Sequence, residues 1–255
     1  MLGIPVEDVN PQVADTDSIG YTSVTGGSGV AFKSGWAAYE AAQHIKAQII
    51  ERAALIWDSD KDEIEYSEGT VSHKSDPELK LSFKDIASGS NNTGGPIVGS
   101  AGVNPIGAGG SYAAMIIDLE IDEETGKTDV LRCTAFTDVG KAIHPDYVEG
   151  QMQGASAQGI GWALNEEYFM SDEGNVLNSS LLDYRMPTSL DMPMIEPVVV
   201  EVPNPGHPFG VRGVGESPLV PPLAAVANAI YDATGVRMNE LPMSPGAISK
   251  ATSKK

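Results

Sequence analysis

The sequence predicts an α+β fold, with helices set among antiparallel strands. Three observations predict it. Residues 113–121 are apolar and then alternate, residues 123–127 (Glu-Glu-Thr-Gly-Lys) read as a turn, and residues 129–136 read as the returning strand, which together make an antiparallel hairpin. Residues 36–57 carry Ile45, Ile49, Ala53 and Ile56 at helical spacing, with Lys46, Glu51 and Arg52 between them. Pro221 and Pro222 open a further helix and Gly235 closes it, the order these two residue types favour.

The remaining elements follow in chain order. Residues 2–9 read as the end of a helix followed by a short edge strand. So abrupt a start predicts that the chain is one part of a larger body. Residues 15–35 are rich in Gly, Ser, Thr and Asp and precede the first long helix. Residues 64–66 and 70–72, joined across Ser67-Glu68-Gly69, form a hairpin. Residues 88–111 are a Gly/Asn/Ser loop too long for a simple connector, the kind of loop that is either functional or disordered. Residues 146–164 are a Gly- and Ala-rich helix whose small side chains let a neighbour approach the backbone. Residues 197–202 form another strand, and 249–255 read as a frayed tail. The predicted division is an N-terminal α+β part, 1–112, with a Gly/Ser loop, and a C-terminal α+β part, 113–255, with a Glu-bearing loop.

Composition bounds the function. With 255 residues and 41% hydrophobic content, the chain can bury a substantial core. A net charge of −19 argues against nucleic acid and against an anionic membrane surface, since both need clustered Lys and Arg. The single cysteine, Cys133, excludes an internal disulfide and a Cys-rich iron–sulfur or structural zinc site within the chain. Its setting, Leu131-Arg132-Cys133-Thr134, reads as a strand, which favours a buried thiol over a nucleophile. No signal peptide or membrane-spanning stretch is visible, so the cytoplasm is the expected location. Asp118, Glu120 and Asp122 alternate onto one strand face, which reads as a solvated face rather than a metal site.

The stretch from Gly206 to Pro218, Gly-His-Pro-Phe-Gly-Val-Arg-Gly-Val-Gly-Glu-Ser-Pro, is the most informative. Its four glycines in ten residues point to unusual turns or close approach to a ligand. Glu216 follows directly and precedes a helix start. One reading exposes it at the bottom of a pocket near backbone N–H donors, where burial could tune it as a base. The other makes it a helix cap.

Val211-Arg212-Gly213-Val214-Gly215-Glu216-Ser217-Pro218, followed by residues 224–237 and Leu241-Pro242, resembles the C-terminal signature of the xanthine dehydrogenase/aldehyde oxidase family, the molybdenum hydroxylases. Two more segments resemble that family in the same order. One is Thr137-Asp138-Val139-Gly140 with His144-Pro145 and Glu149-Gly150-Gln151, where His144 replaces the family's usual Asn. The other is Asp15-Thr16-Asp17 with Thr25-Gly26-Gly27-Ser28-Gly29-Val30-Ala31. The stretches 183–188 and 191–193 resemble a family segment with a structural role.

The resemblance implies the fold of the family's second molybdopterin-binding domain. It implies Glu216 as the catalytic base of an oxidative hydroxylation of an aldehyde or N-heterocycle, with water as the oxygen source. It places Gly27, Ser28, Gly29, Val30, Ala31, Gln151, Gly213, Val214 and Gly215 around the cofactor, a molybdopterin in cytosine-dinucleotide form carrying molybdenum. The pterin binds the metal, so no side chain is expected as a ligand. The implied partners are the remaining molybdopterin-binding part of the large subunit, a [2Fe–2S] subunit and an FAD subunit. The family's large subunit is roughly three times this length by that resemblance, so the chain alone is expected to be inactive. The competing reading is a non-catalytic subunit that stabilises such a complex. A Gly-loop protein for acidic ligands is disfavoured by the −19 charge.

Overall fold

The computed structural model describes residues 1–13, 15, 17 and 24–253. Thr16 of the Asp-Thr-Asp motif and the last two lysines lie outside the described residues. The chain divides into two compact units, Met1–Gly26 with Lys33–Pro105, and Gly27–Phe32 with Ile106–Lys255.

In the first unit, helix α1 (Val30–Trp57) lends most of its length, and its buried Ile49 and Ala53 meet the hairpin β1 (Ile64–Ser67) and β2 (Thr70–His73). Ile64, Tyr66, Val71 and Ile86 complete that core, while Ile56, expected on the same face, is exposed. The turn between the strands works because Glu68 and Gly69 both take positive φ, 45° and 73°, as a tight hairpin turn requires. β3 (Lys80–Ser82) adds to β2, and α2 (Phe83–Ser88) starts on a reciprocal cap between Ser82 and Asp85. Residues 2–9 hold a 3-10 turn, Val6–Asp8, rather than a helix end and a strand; Leu2 is tied to β1 by the Tyr66 hydroxyl, not by a ladder. The long loop is pinned to α1, with Gln48 donating to Val98 O at 2.8 Å and Ser100 N–H donating to His44 Nδ1 at 3.3 Å. A cleft of about 530 Å³ belongs to this unit, lined by Trp36, Glu40 and the segment from Ser100 to Pro105.

The second unit is built on a three-stranded sheet, β4 (Ala113–Ile121), β5 (Thr128–Asp138) and β6 (Ile195–Val200), in that order. β4 and β5 form the expected hairpin, with Ala113 opposite Thr137 and Ile121 opposite Thr128. Its turn is fixed by Asp122, whose Oδ1 accepts the N–H groups of Glu124 and Thr125, each at 2.9 Å. Asp118, Glu120 and Asp122 are exposed, and Asp118 pairs with Arg132 at 2.7 Å. β6 departs from the antiparallel expectation. It runs parallel to β5, Cys133 opposite Ile195, because helix α3 (Pro145–Leu164) and the residues after it carry the chain back to the same end.

α3 packs on β6 and on α4 (Pro221–Thr234), which ends at Gly235 as expected, the glycine taking the left-handed conformation. The core holds Cys133, Met152, Ile160, Val226, Ile230, Met243 and Ile248. Burial pushes the Cys133 thiol up to about 11, which keeps it protonated at neutral pH. Residues 249–252 of the expected frayed tail instead belong to helix α5 (Pro245–Thr252), capped by Ser244 and anchored by buried Ile248. No helix among the described residues is long and apolar enough to cross a membrane.

Candidate functional site

The Glu-bearing loop hangs from the end of β5. There the Asp138 carboxylate pairs with Arg212 at 3.2 Å, and the two side chains are only 11% and 14% exposed. The other oxygen of Asp138 accepts the N–H groups of Gly140 (3.0 Å) and Val202 (3.3 Å). Arg212 donates further to the carbonyls of Val202, at 3.2 Å, and Gly110. A charge pair this enclosed is tolerable because hydrogen bonds occupy its remaining donors and acceptors. Gly140 allows the approach. Its φ is +68°, and a Cβ there would lie 2.2 Å from Gly210 O.

His207, 6% exposed, clamps the loop from the other side. Its Nδ1 accepts N–H groups from Phe209 (3.1 Å) and Val211 (3.3 Å). The ring hydrogen is thereby assigned to Nε2, which donates to Phe32 O at 3.0 Å in the opening turn of α1. The His207 and Phe32 ring centroids are 4.5 Å apart.

These anchors bring Glu216 against Ser28, 188 positions away in sequence. The Glu216 N–H donates to Ser28 Oγ at 2.9 Å, and that hydroxyl donates to Glu216 Oε2 at 3.2 Å. Gln151, on α3, turns its Oε1 toward Gly215, where an added Cβ would come within 3.1 Å of it and 3.5 Å of Ser28 Oγ. At Gly213 an added Cβ would meet Ser28 Cβ at 2.9 Å and Ala108 Cβ at 3.2 Å. The glycines therefore leave the backbone bare where a serine, an amide and a carboxylate meet.

Glu216 does precede a helical turn, Ser217–Leu219, yet its side chain makes no capping hydrogen bond there. The carboxylate takes the Ser28 hydroxyl instead, so the cap reading fails. Nor is Glu216 enclosed within this chain, where its side chain is exposed rather than at the bottom of a closed pocket.

Five residues singled out in the sequence thus come together: Ser28, Gln151, Gly213, Gly215 and Glu216. Val214 turns its side chain toward the core of the unit. Gly27 takes φ +62°, Gly29 is buried, and Val30 and Ala31 form the exposed opening turn of α1. That turn presents N–H groups the helix cannot satisfy itself, at its electropositive end. His144, where the family pattern has Asn, caps α3 through its Nδ1 and stacks on Tyr147. Sequence reasoning missed Asp138–Arg212 and His207 as anchors. Only the glycines around them signalled that the backbone there needed holding.

Comparison with known proteins agrees with the resemblance. The family model described as molybdopterin cofactor-binding domain matches residues 1–193. The xanthine dehydrogenase molybdenum-binding subunit of Escherichia coli is 32% identical over 250 residues, covering 96% of this chain and 33% of that protein. The carbon monoxide dehydrogenase large chain of Afipia carboxidovorans is 32% identical over 237 residues, covering 91% and 29%. Among solved structures, reconstituted CO dehydrogenase from Oligotropha carboxidovorans superposes with a TM-score of 0.83 at 28% identity, covering 94% of this chain and 31% of that one. Quinoline 2-oxidoreductase from Pseudomonas putida gives 0.73 at 28% identity, covering 84% and 29%. The chain spans about a third of the length of these relatives. With three quarters of its length matched by the family model, the chain belongs to the molybdopterin cofactor-binding domains of the molybdenum hydroxylase family.

Proposed function

We propose that this chain forms one wall of the active site of a molybdenum hydroxylase, with Glu216 as its general base. The observation that carries the reading is the meeting of Glu216, Ser28 and Gln151 over the bare backbone of Gly213–Gly215. The residues fit a molybdopterin. A Cβ at Gly215 would press on Gln151 Oε1 and one at Gly213 on Ser28, so glycine at both positions keeps the cradle clear. The opening turn of α1, with Gly27, Ser28, Gly29, Val30 and Ala31, suits the phosphates of a cytosine dinucleotide form, since helix N-termini favour anions. Gln151 and the Gly213–Val214–Gly215 backbone would hold the pterin side.

When bound, the cofactor supplies the metal centre and accepts the two electrons of the hydroxylation. The chain's own share is to place a base. With Oε2 engaged by Ser28, Oε1 is the oxygen that takes up a proton from the water-derived group attacking the substrate. The backbone bond from Glu216 N–H to Ser28 Oγ fixes where that carboxylate begins, and the Asp138–Arg212 and His207 anchors fix the loop behind it.

Glu216 is exposed in this chain, so the opposite wall, and most contacts to an aldehyde or N-heterocycle, belong to the part of the large subunit that this sequence does not span. The expected neighbours are that part together with a [2Fe–2S] subunit and an FAD subunit, in the cytoplasm. Glu216→Gln in the assembled enzyme is expected to leave assembly and molybdenum content unchanged. Turnover of a panel of aldehydes and N-heterocycles, read with an artificial electron acceptor, should fall on the order of 10²–10⁴-fold. A fully active variant would overturn the base assignment and leave the chain as a non-catalytic assembly subunit.

A further inference from the structure

Between α3 and β6 runs a stretch, residues 165–194, that has hydrogen bonds of its own but little cover for most of its large apolar side chains. An irregular stretch this long is unusual inside a compact domain. It is not loose. Asn178, 6% exposed, donates to Glu167 O at 2.7 Å and accepts the Phe169 N–H at 2.9 Å. Leu177 N–H donates to Phe169 O at 2.7 Å. The Tyr184 hydroxyl donates to Glu166 at 2.8 Å, and Asp191 accepts both the N–H and the hydroxyl of Thr188. Yet Leu181, Leu182, Leu190 and Met194 are 80%, 90%, 96% and 86% exposed, with Tyr168 and Met186 also largely bare. A segment whose backbone is settled while several of its largest apolar side chains face water is built for burial against something else.

We propose that residues 165–194 are the docking surface for the portion of the large subunit that this sequence does not span, an inference that rests on the proposed function. The missing portion is large enough. The matched relatives are about three times this chain's length, and the fold they share with it accounts for only about a third of them. Charge selects against a second copy of this chain. The segment holds six carboxylates, Glu166, Glu167, Asp172, Glu173, Asp183 and Asp191, against one cation, Arg185, so a self-association would set acid against acid. The face that fits is apolar at its centre with Lys or Arg at its rim.

The test uses the assembly purified from native cells on a tag carried by this chain. A photo-crosslinking residue in place of Leu182 is expected to join peptides of the unspanned portion, identified by mass spectrometry. Crosslinks to a second copy, to an iron–sulfur or flavin subunit, or to nothing would overturn the proposal. In the same cells, Leu181→Ser with Leu190→Ser is expected to lower recovery of intact assembly at least ~10-fold, while Leu55→Ser, at an exposed site on α1, leaves it unchanged. Equal recovery from both variants would also overturn it. Because neither readout depends on turnover, a failed Glu216→Gln test leaves the docking result standing. Purified assembly that crosslinks elsewhere sinks the docking surface alone.

Discussion

Residues 203–216 and residues 165–194 both lie in the second unit, and neither contains a long helix or strand. They differ in where their side chains go. The first sends Arg212 and His207 inward, onto Asp138 and the opening turn of α1, so that its backbone is held at both ends. The second bonds mostly to itself and turns Leu181, Leu182 and Leu190 outward. Irregular backbone is therefore no guide to its role. A loop fixed by buried polar anchors places a functional group before any partner arrives. A segment with satisfied backbone and bare leucines stays incomplete until one does.

Three substitutions sharpen that contrast. Arg212→Ala strands the buried Asp138 carboxylate, and thermal or urea denaturation of the purified chain is expected to show a loss of about 3–5 kcal/mol. A loss below about 0.5 kcal/mol would mean the loop is held by something other than this pair. Ser28→Ala removes one hydrogen bond at the carboxylate and one at the backbone of Glu216, for an expected cost of about 1–2 kcal/mol in the same measurement. An unchanged melting curve would break the link between the two residues. Leu181→Ser changes a side chain that touches mostly water, and is expected to stay within about 0.5 kcal/mol of the parent. A large loss there would show that the leucine already packs within this chain and would erase the contrast.

Much of this was legible in sequence wherever the signal is local. The hairpin of β4 and β5 announces itself by alternation and an Asp-led turn, and α4 by prolines before it and Gly235 after it. β3 escaped because three residues with only Leu81 half-buried carry no periodicity. α2 left a signal, the Ser82 to Asp85 spacing of a capping box, that the sequence reading passed over. α1 begins six residues before the helical pattern because tertiary contacts, with Phe32 packed on His207, extend it through Gly- and Ser-containing sequence. For residues 249–252 the frayed-tail expectation failed for the same reason, since the helix that holds them is anchored by Ile248, an isolated apolar residue whose value lies in a core drawn from residues as far off in sequence as Ile117. In the site, residue types were readable and partnerships were not. Ser28 and Glu216 each stood out in their own motif, but no spacing rule links positions 188 residues apart. The Arg212–Asp138 pair was hidden likewise, because each residue looks ordinary until β5 and the loop are folded side by side.

The Ser28 hydroxyl carries a single hydrogen. In this structure that hydrogen is committed to the carboxylate of Glu216, while a lone pair of the same oxygen receives the Glu216 N–H. An anion bound at the opening turn of α1 would ask for the same hydrogen. Ser28 can serve the carboxylate or the anion at any instant, but not both. One rotating O–H bond thus ties the Glu216 carboxylate to whatever acceptor sits at the opening turn of α1.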